Sequence, residues 1–131
     1  MEQRVKALGP NSFEVKYVQV EKEEDVLSAA DDVVVRITEE EFWNPGEIAL
    51  LTTKYRHPVH TEKRADLEAY WNEYWEGSDV FYGTVLGFKG LERSVVVLAV
   101  NGIHLDADVN DLMYVGMTRA RDRLIVVRAL G

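Results

Sequence analysis

The run Gly83-Thr84-Val85-Leu86-Gly87-Phe88-Lys89-Gly90 has the residue types of a loop that approaches phosphate. Gly87 and Gly90 allow close backbone approach or a positive φ. Lys89 offers a cation, and Glu92 a carboxylate able to accept hydrogen bonds from sugar hydroxyls. The run is not a Walker A phosphate loop, which needs four residues between its glycines and then Gly-Lys-Ser/Thr. Here three residues separate Gly83 from Gly87, Phe88 splits Gly87 from Lys89, and no hydroxyl follows to hold magnesium. No other segment supplies the motif. Hydrolysis of a nucleoside triphosphate by the usual P-loop route is therefore excluded for this chain unaided. A tight turn between strands, with Lys89 and Glu92 solvated, accounts for the same residues.

Thr118-Arg119-Ala120-Arg121-Asp122-Arg123 brings three arginines close together near an expected helix end. Basic residues there complement the helix dipole and need no further role. A planar, permanently charged guanidinium is also what phosphoryl transfer uses to stabilise charge on the transferred group. His57 and His60 flank Pro58 and Val59 with no third ligand in view, so solvated loop histidines are expected rather than a metal pair. His104, beside Asp106 and Asp108, is an equally weak metal candidate. No metal site is assigned.

These residues must be held by regular elements. Phe13, Val15 and Tyr17, then Val18 and Val20, alternate as a strand over 13–20 would. The acidic stretch Glu21 to Asp25 suits a helix's first turn, and Val26, Ala29, Ala30, Val33, Val34 and Ile37 then share one helical face. Asn44-Pro45-Gly46 is a turn. Ile48 to Thr52 reads as a strand buried on both faces. Residues 61–76 predict a helix with Leu67, Tyr70, Trp71, Tyr74 and Trp75 in one stripe, stopped by Gly77. That stripe serves either core packing, its commoner use, or base stacking. Val80 to Leu86 and Ser94 to Val100 predict two more buried strands. Asp108 can cap a helix over 109–121, with Asp111 at its third position, and Leu124 to Val127 forms the last strand. Helices alternating with short apolar strands predict an α/β domain with a mainly parallel sheet.

At 131 residues the chain has room for one domain, with 47% apolar residues for a core. No apolar run approaches the roughly 20 residues of a membrane span, and the N-terminus lacks a signal-peptide layout. Zero cysteines exclude disulfides, thiolate zinc sites and a cysteine nucleophile, and fit a cytoplasmic location. The net charge of −8 argues against a general nucleic-acid coat protein. That charge is lopsided. Residues 1–82 hold 9 basic and 18 acidic side chains, a balance of −9, whereas residues 83–131 hold 6 and 5, a balance of +1.

Two segments taken together sharpen the reading. Gly83 to Glu92, followed by the apolar strand Val95 to Val100, resembles motif V of the UvrD/Rep-like superfamily 1 helicases. Leu112-Met113-Tyr114-Val115-Gly116-Met117-Thr118-Arg119-Ala120-Arg121 resembles their motif VI, including the strand after it. The match covers residues 83–127. Residues 13–53 fit in element order only, with Ile48 to Lys54 where motif IV would lie.

The resemblance implies a RecA-like fold without its own P-loop: the second, C-terminal half of such a helicase, spanning residues 1–131. ATP would bind between this half and an N-terminal RecA-like half that carries the P-loop and holds magnesium. Carried over by position, Arg119 would be the arginine finger, Glu92 would contact the ribose, and Lys89 and Gly90 would lie at the nucleotide. Thr84 and the backbone at Leu86, Gly87 and Phe88 would face the phosphates of single-stranded or partly duplex DNA. Tyr114 and Gly116 would pack the motif VI helix.

Several positions depart from the family pattern. Leu86 stands where motif V often has a histidine. Thr52 and Thr53 stand where motif IV usually has an aromatic and an arginine, and Lys54 or Arg56 could substitute only with a shifted backbone, so the adenine contact is unassigned. Residues 54–79 leave room for little beyond one helix where the family carries a large insertion. The alternative expectation is a stand-alone, non-catalytic nucleotide- or protein-binding module of the same fold, with the aromatic stripe as its docking face.

Overall fold

The computed structural model describes residues 2–8, 13–88, 91–102 and 119–129. They form strands β1 (Glu2–Leu8), β2 (Phe13–Val20), β3 (Ile48–Thr52), β4 (Phe81–Thr84), β5 (Arg93–Val100) and β6 (Ala120–Ala129), with helices α1 (Val26–Glu39), α2 (Pro58–Lys63) and α3 (Leu67–Glu76). The sheet order is β1-β2-β6-β5-β3-β4. Strands β2, β6, β5, β3 and β4 run parallel, and β1 adds an antiparallel edge against β2. The expected α/β architecture with a mainly parallel sheet is present.

Burial explains the central strands. Every residue of β3 is buried, as is β5 from Arg93 to Ala99. Alternate residues feed two cores, as the two-residue period of a strand requires. On one face Val26, Ala30, Val33, Val34 and Ile37 of α1 pack over Ile48, Leu50, Val95, Val97, Ala99, Ile125 and Val127. On the other, Tyr70 of α3, with Phe81, Val85 and Phe88, packs over Ala49, Leu51, Val96, Leu98, Leu124 and Val126. Among the described residues no helix is long and apolar enough to cross a membrane.

Several boundaries differ from expectation, each for a local reason. The acidic stretch before α1 forms a 3-10 turn at Glu23–Asp25 instead of the helix's own first turn. The single helix expected over 61–76 is two. Asp66 is extended (φ −131°, ψ 93°) and its carboxylate accepts the Ala69 N–H at 3.1 Å, so α3 starts afresh there. Helix α2 begins earlier, with Pro58 in its first turn and the His57 ring capping Val59 N–H. Gly77, at φ 64°, ends α3 as expected.

Strand β4 stops at Thr84, short of the expected Leu86, because residues 85–88 turn back. Gly87 N–H donates to Thr84 Oγ1 and Phe88 N–H to the Thr84 carbonyl, both at 3.0 Å. The helix expected over 109–121 has 109–118 outside the described residues, and its last two positions are not helical. Ala120 and Arg121 already belong to β6, with Ala120 paired to Arg93 in the parallel ladder. The last strand therefore extends well beyond Leu124 to Val127. The turn at Asn44-Pro45-Gly46 has a close neighbour: a Cβ on Gly46 would sit 1.5 Å from the Gly77 carbonyl oxygen, so only glycine fits.

Candidate functional site

The parallel strands give the sheet a carboxyl edge and an amino edge, and the residues singled out in the sequence divide between them. Thr84 ends β4 and Thr52 ends β3 in register with it, so both lie at the carboxyl edge. Arg93 opens β5 and pairs with Ala120, which opens β6, so Glu92 and Arg119 precede paired residues at the amino edge. The chain between Thr84 and Arg93 crosses the sheet face from one edge to the other. Phe88, fully buried, fastens it midway, with its ring 5.6 Å from Phe81 and 5.8 Å from Tyr74.

At the carboxyl edge Thr84 is half-buried, while Leu86 (63% exposed) and Gly87 stand on the surface. Phe88 offers no contact of the expected kind. Its N–H binds the Thr84 carbonyl, its carbonyl accepts Leu91 N–H at 3.0 Å, and its ring is in the core. It positions the turn instead. The Thr84 hydroxyl already accepts the Gly87 N–H, leaving its own proton to donate. Thr52 and Thr53 are buried, and the Thr53 hydroxyl bonds to the Gly102 carbonyl, so neither substitutes for the missing motif IV side chains. Asn101 fixes the exit from β3 by accepting Lys54 N–H (3.2 Å) and Tyr55 N–H (3.3 Å) and donating to the Tyr55 carbonyl (2.7 Å).

Beyond Thr84 and Gly87 opens a cleft of about 200 Å³. Arg56, His60 and Arg64 line it from the α2 side, and Leu67, Tyr70 and Trp71 from α3. The sequence reading gave His60 and Arg64 no part in such a site. Only His60 lies within α2, while Arg56 precedes its cap and Arg64 follows its last residue, so helical periodicity offered no signal for the set.

Both histidines prove to be buried, each 5% exposed, rather than solvated. His57 is fully engaged: Nε2 lies 2.8 Å from Asp31 Oδ1 and Nδ1 accepts Val59 N–H at 3.0 Å. His60 stacks on Tyr70 at 5.2 Å, and its buried Nδ1 has no partner among the described residues. Burial depresses its pKa to about 4, with the nearby charges of Arg56, Arg64 and His57 adding to the effect. His60 is thus neutral at pH 7. Burial also raises the pKa of Tyr70, whose hydroxyl donates to the Tyr82 carbonyl at 2.6 Å. Among the described residues no His/Cys/Asp/Glu cluster could hold a metal ion. His104, Asp106 and Asp108 lie outside the described residues.

The amino edge is organised by Arg93, which the sequence reading did not single out. Its guanidinium is buried, donates to the Gly46 carbonyl and to the Tyr74 carbonyl (2.9 Å), and stacks on the Tyr74 ring at 4.8 Å. Burial lowers its pKa. The Tyr74 hydroxyl donates to the Glu92 carbonyl (3.1 Å) and accepts the Glu92 N–H (3.3 Å). This holds the Glu92 backbone while its carboxylate stays exposed, 4.0 Å from Arg121 Nε. Arg121 also donates to Ser94 Oγ at 2.9 Å. Arg119 is half-buried, and its Nε is buried with no hydrogen-bond partner among the described residues. Lys89, Gly90, Tyr114 and Gly116 lie outside the described residues.

The aromatic stripe divides too. Buried Tyr70 and half-buried Trp71 and Tyr74 pack around Phe81 at 4.9, 5.7 and 5.2 Å. Trp75 is 73% exposed. No protein-family model matches the chain, and no curated protein resembles it at a significant level.

Proposed function

We propose that this chain is the second RecA-like half of a UvrD/Rep-like DNA helicase or translocase, working in the cytoplasm with a P-loop-bearing first half. The observation that carries the reading is the division of its motif residues. Thr84 and Gly87, the expected strand contacts, are at the carboxyl edge; Glu92 and Arg119, the expected nucleotide contacts, are at the amino edge. Phe88, buried against Phe81 and Tyr74, anchors the connection between them to the core, as suits a motor that couples nucleotide turnover to strand movement.

The amino-edge residues fit a nucleotide in chemical terms. The half-buried Arg119 side chain, whose buried Nε has no partner among the described residues, suits a partner with high negative charge, because leaving such a donor unsatisfied is costly. Arg119 would set a fixed positive charge against the γ-phosphate of ATP held by the first half. Glu92, held by Tyr74, would accept hydrogen bonds from the ribose, and magnesium would stay with the first half. The protein-docking alternative is weakened, since Tyr70 is buried and Trp71 and Tyr74 spend part of their surface on Phe81.

The reading requires a P-loop half in the same polypeptide or a stable companion. An antibody against this domain, used on source-cell extract, should recover a Walker A sequence, either in a band several times heavier than 15 kDa or in a co-purifying chain. A 15 kDa species with no P-loop companion would overturn it in favour of the stand-alone module.

A further inference from the structure

The cleft at the carboxyl edge joins features that the motif residues alone do not explain. Arg56 and Arg64 are exposed, and their side chains make no ion pair or hydrogen bond among the described residues. No carboxylate lines the cleft, although the chain is acidic overall. Of the acidic side chains on this stretch, Asp66 caps α3 and Glu73 pairs with Lys63 at 2.5 Å, and neither they nor Glu62 and Glu68 line the cleft. Between the arginines His60 is buried, with an unpartnered ring nitrogen. Leu67, 51% exposed, and half-buried Trp71 form an apolar wall beside these cations.

Unpaired cations beside an apolar, partly aromatic wall are the combination with which proteins hold single strands: charge for the phosphate, a flat surface for the base. We infer that the cleft seats one nucleotide of a single-stranded nucleic acid, its phosphate held by Arg56 and Arg64 and its base resting against Leu67 and Trp71. The inference rests on the helicase-half reading only for the ligand being a nucleic acid; the anion chemistry follows from the cleft. Thr84 and Gly87 form the cleft's other wall, so a strand tracking along the turn after β4 would enter it directly. In this account the short α2–α3 segment, standing where the family carries its large insertion, supplies a strand contact of its own.

The test uses this chain, a labelled oligothymidylate and, separately, inorganic phosphate. Binding is followed by fluorescence anisotropy at several salt concentrations, and the His60 ring by NMR pH titration. The inference predicts salt-sensitive oligonucleotide binding that Arg56→Gln/Arg64→Gln weakens on the order of tenfold or more. The double substitution should also flatten the log–log salt slope by about 0.7, the contribution of one phosphate contact on a single strand. Bound strand should raise the His60 pKa from about 4, because a phosphate beside the ring favours its charged form. Both arginines are exposed, so glutamine there should leave the fold intact, which circular dichroism checks.

No oligonucleotide binding, unaltered affinity in the double variant, or an unmoved His60 would each overturn the inference. Inorganic phosphate binding as tightly as the oligonucleotide would replace it with a free-anion site. If Thr84→Val weakens binding while the double variant does not, the cleft inference fails and the helicase-half reading stands.

Discussion

At the carboxyl edge of the sheet, the side chains of Arg56 and Arg64 have no partner among the described residues, around a cleft that no described carboxylate lines. At the amino edge most of the positive charge is already answered. Arg123 is paired with Glu14 at 3.0 Å and with Glu41, whose pKa is lowered because the hydrogen bond and charge of Arg123 outweigh the raising effect of burial. Arg121 is tied to Ser94 and lies near Glu92. Of the three arginines in the run Thr118 to Arg123, only Arg119 keeps a buried nitrogen without a partner among the described residues. In sequence the three look alike; their partners set one apart. The carboxyl edge presents exposed cations, whereas the amino edge keeps one arginine nitrogen, Arg119 Nε, without a partner among the described residues.

The sharpest way to break this arrangement is to loosen what joins the edges. Phe88→Ala removes a fully buried ring from the crossing segment and should destabilise the protein by about 3–5 kcal/mol in urea unfolding. A loss below about 1 kcal/mol would mean that the two edges are not joined through the core. Next comes the amino edge. Arg93→Ala strips the donor from the Gly46 and Tyr74 carbonyls and should cost about 3 kcal/mol by the same measurement.

The carboxyl edge has a signature in pH. His60 has a folded pKa of about 4 against an ordinary value of 6.5, so between these values the unfolded chain binds the extra proton. Stability from this group is complete above about pH 6.5 and falls as pH drops towards 4, by about 2 kcal/mol at pH 4.5. His60→Gln should lose that part of the acid sensitivity, seen by comparing unfolding free energies at pH 7 and 4.5. Identical pH dependence in the two proteins would contradict the buried, neutral histidine. The smallest effect is expected from Asp66→Ala, which removes the α3 cap for about 1 kcal/mol and should disturb the cleft more than the Glu92 region.

The parallel sheet was legible because its strands are buried on both faces and so appear as continuous apolar runs, at Ile48 to Thr52 and Ser94 to Val100. Strand β2 matched over Phe13–Val20 through its alternation, and α1 through its apolar face. The break between α2 and α3 was hidden because no residue of 61–65 is a helix breaker, and the capping role of Asp66 depends on a backbone angle. The true length of β6 was masked by Arg121, Asp122 and Arg123, whose charges suggest a helix end; Arg123 is tolerated in the sheet because Glu14 on β2 pairs with it. The cleft was least legible. It needs Arg56 and Arg64 from the ends of a six-residue helix, too short for a periodic signal, brought to Thr84 by the fold.

The most direct test of the central claim is ATP turnover by Arg119→Ala, assembled with the P-loop half, alongside ATP affinity. The account predicts that turnover falls by a factor on the order of 10³ or more while ATP affinity stays within a few-fold, as loss of an arginine finger should. Normal turnover in that variant would contradict it.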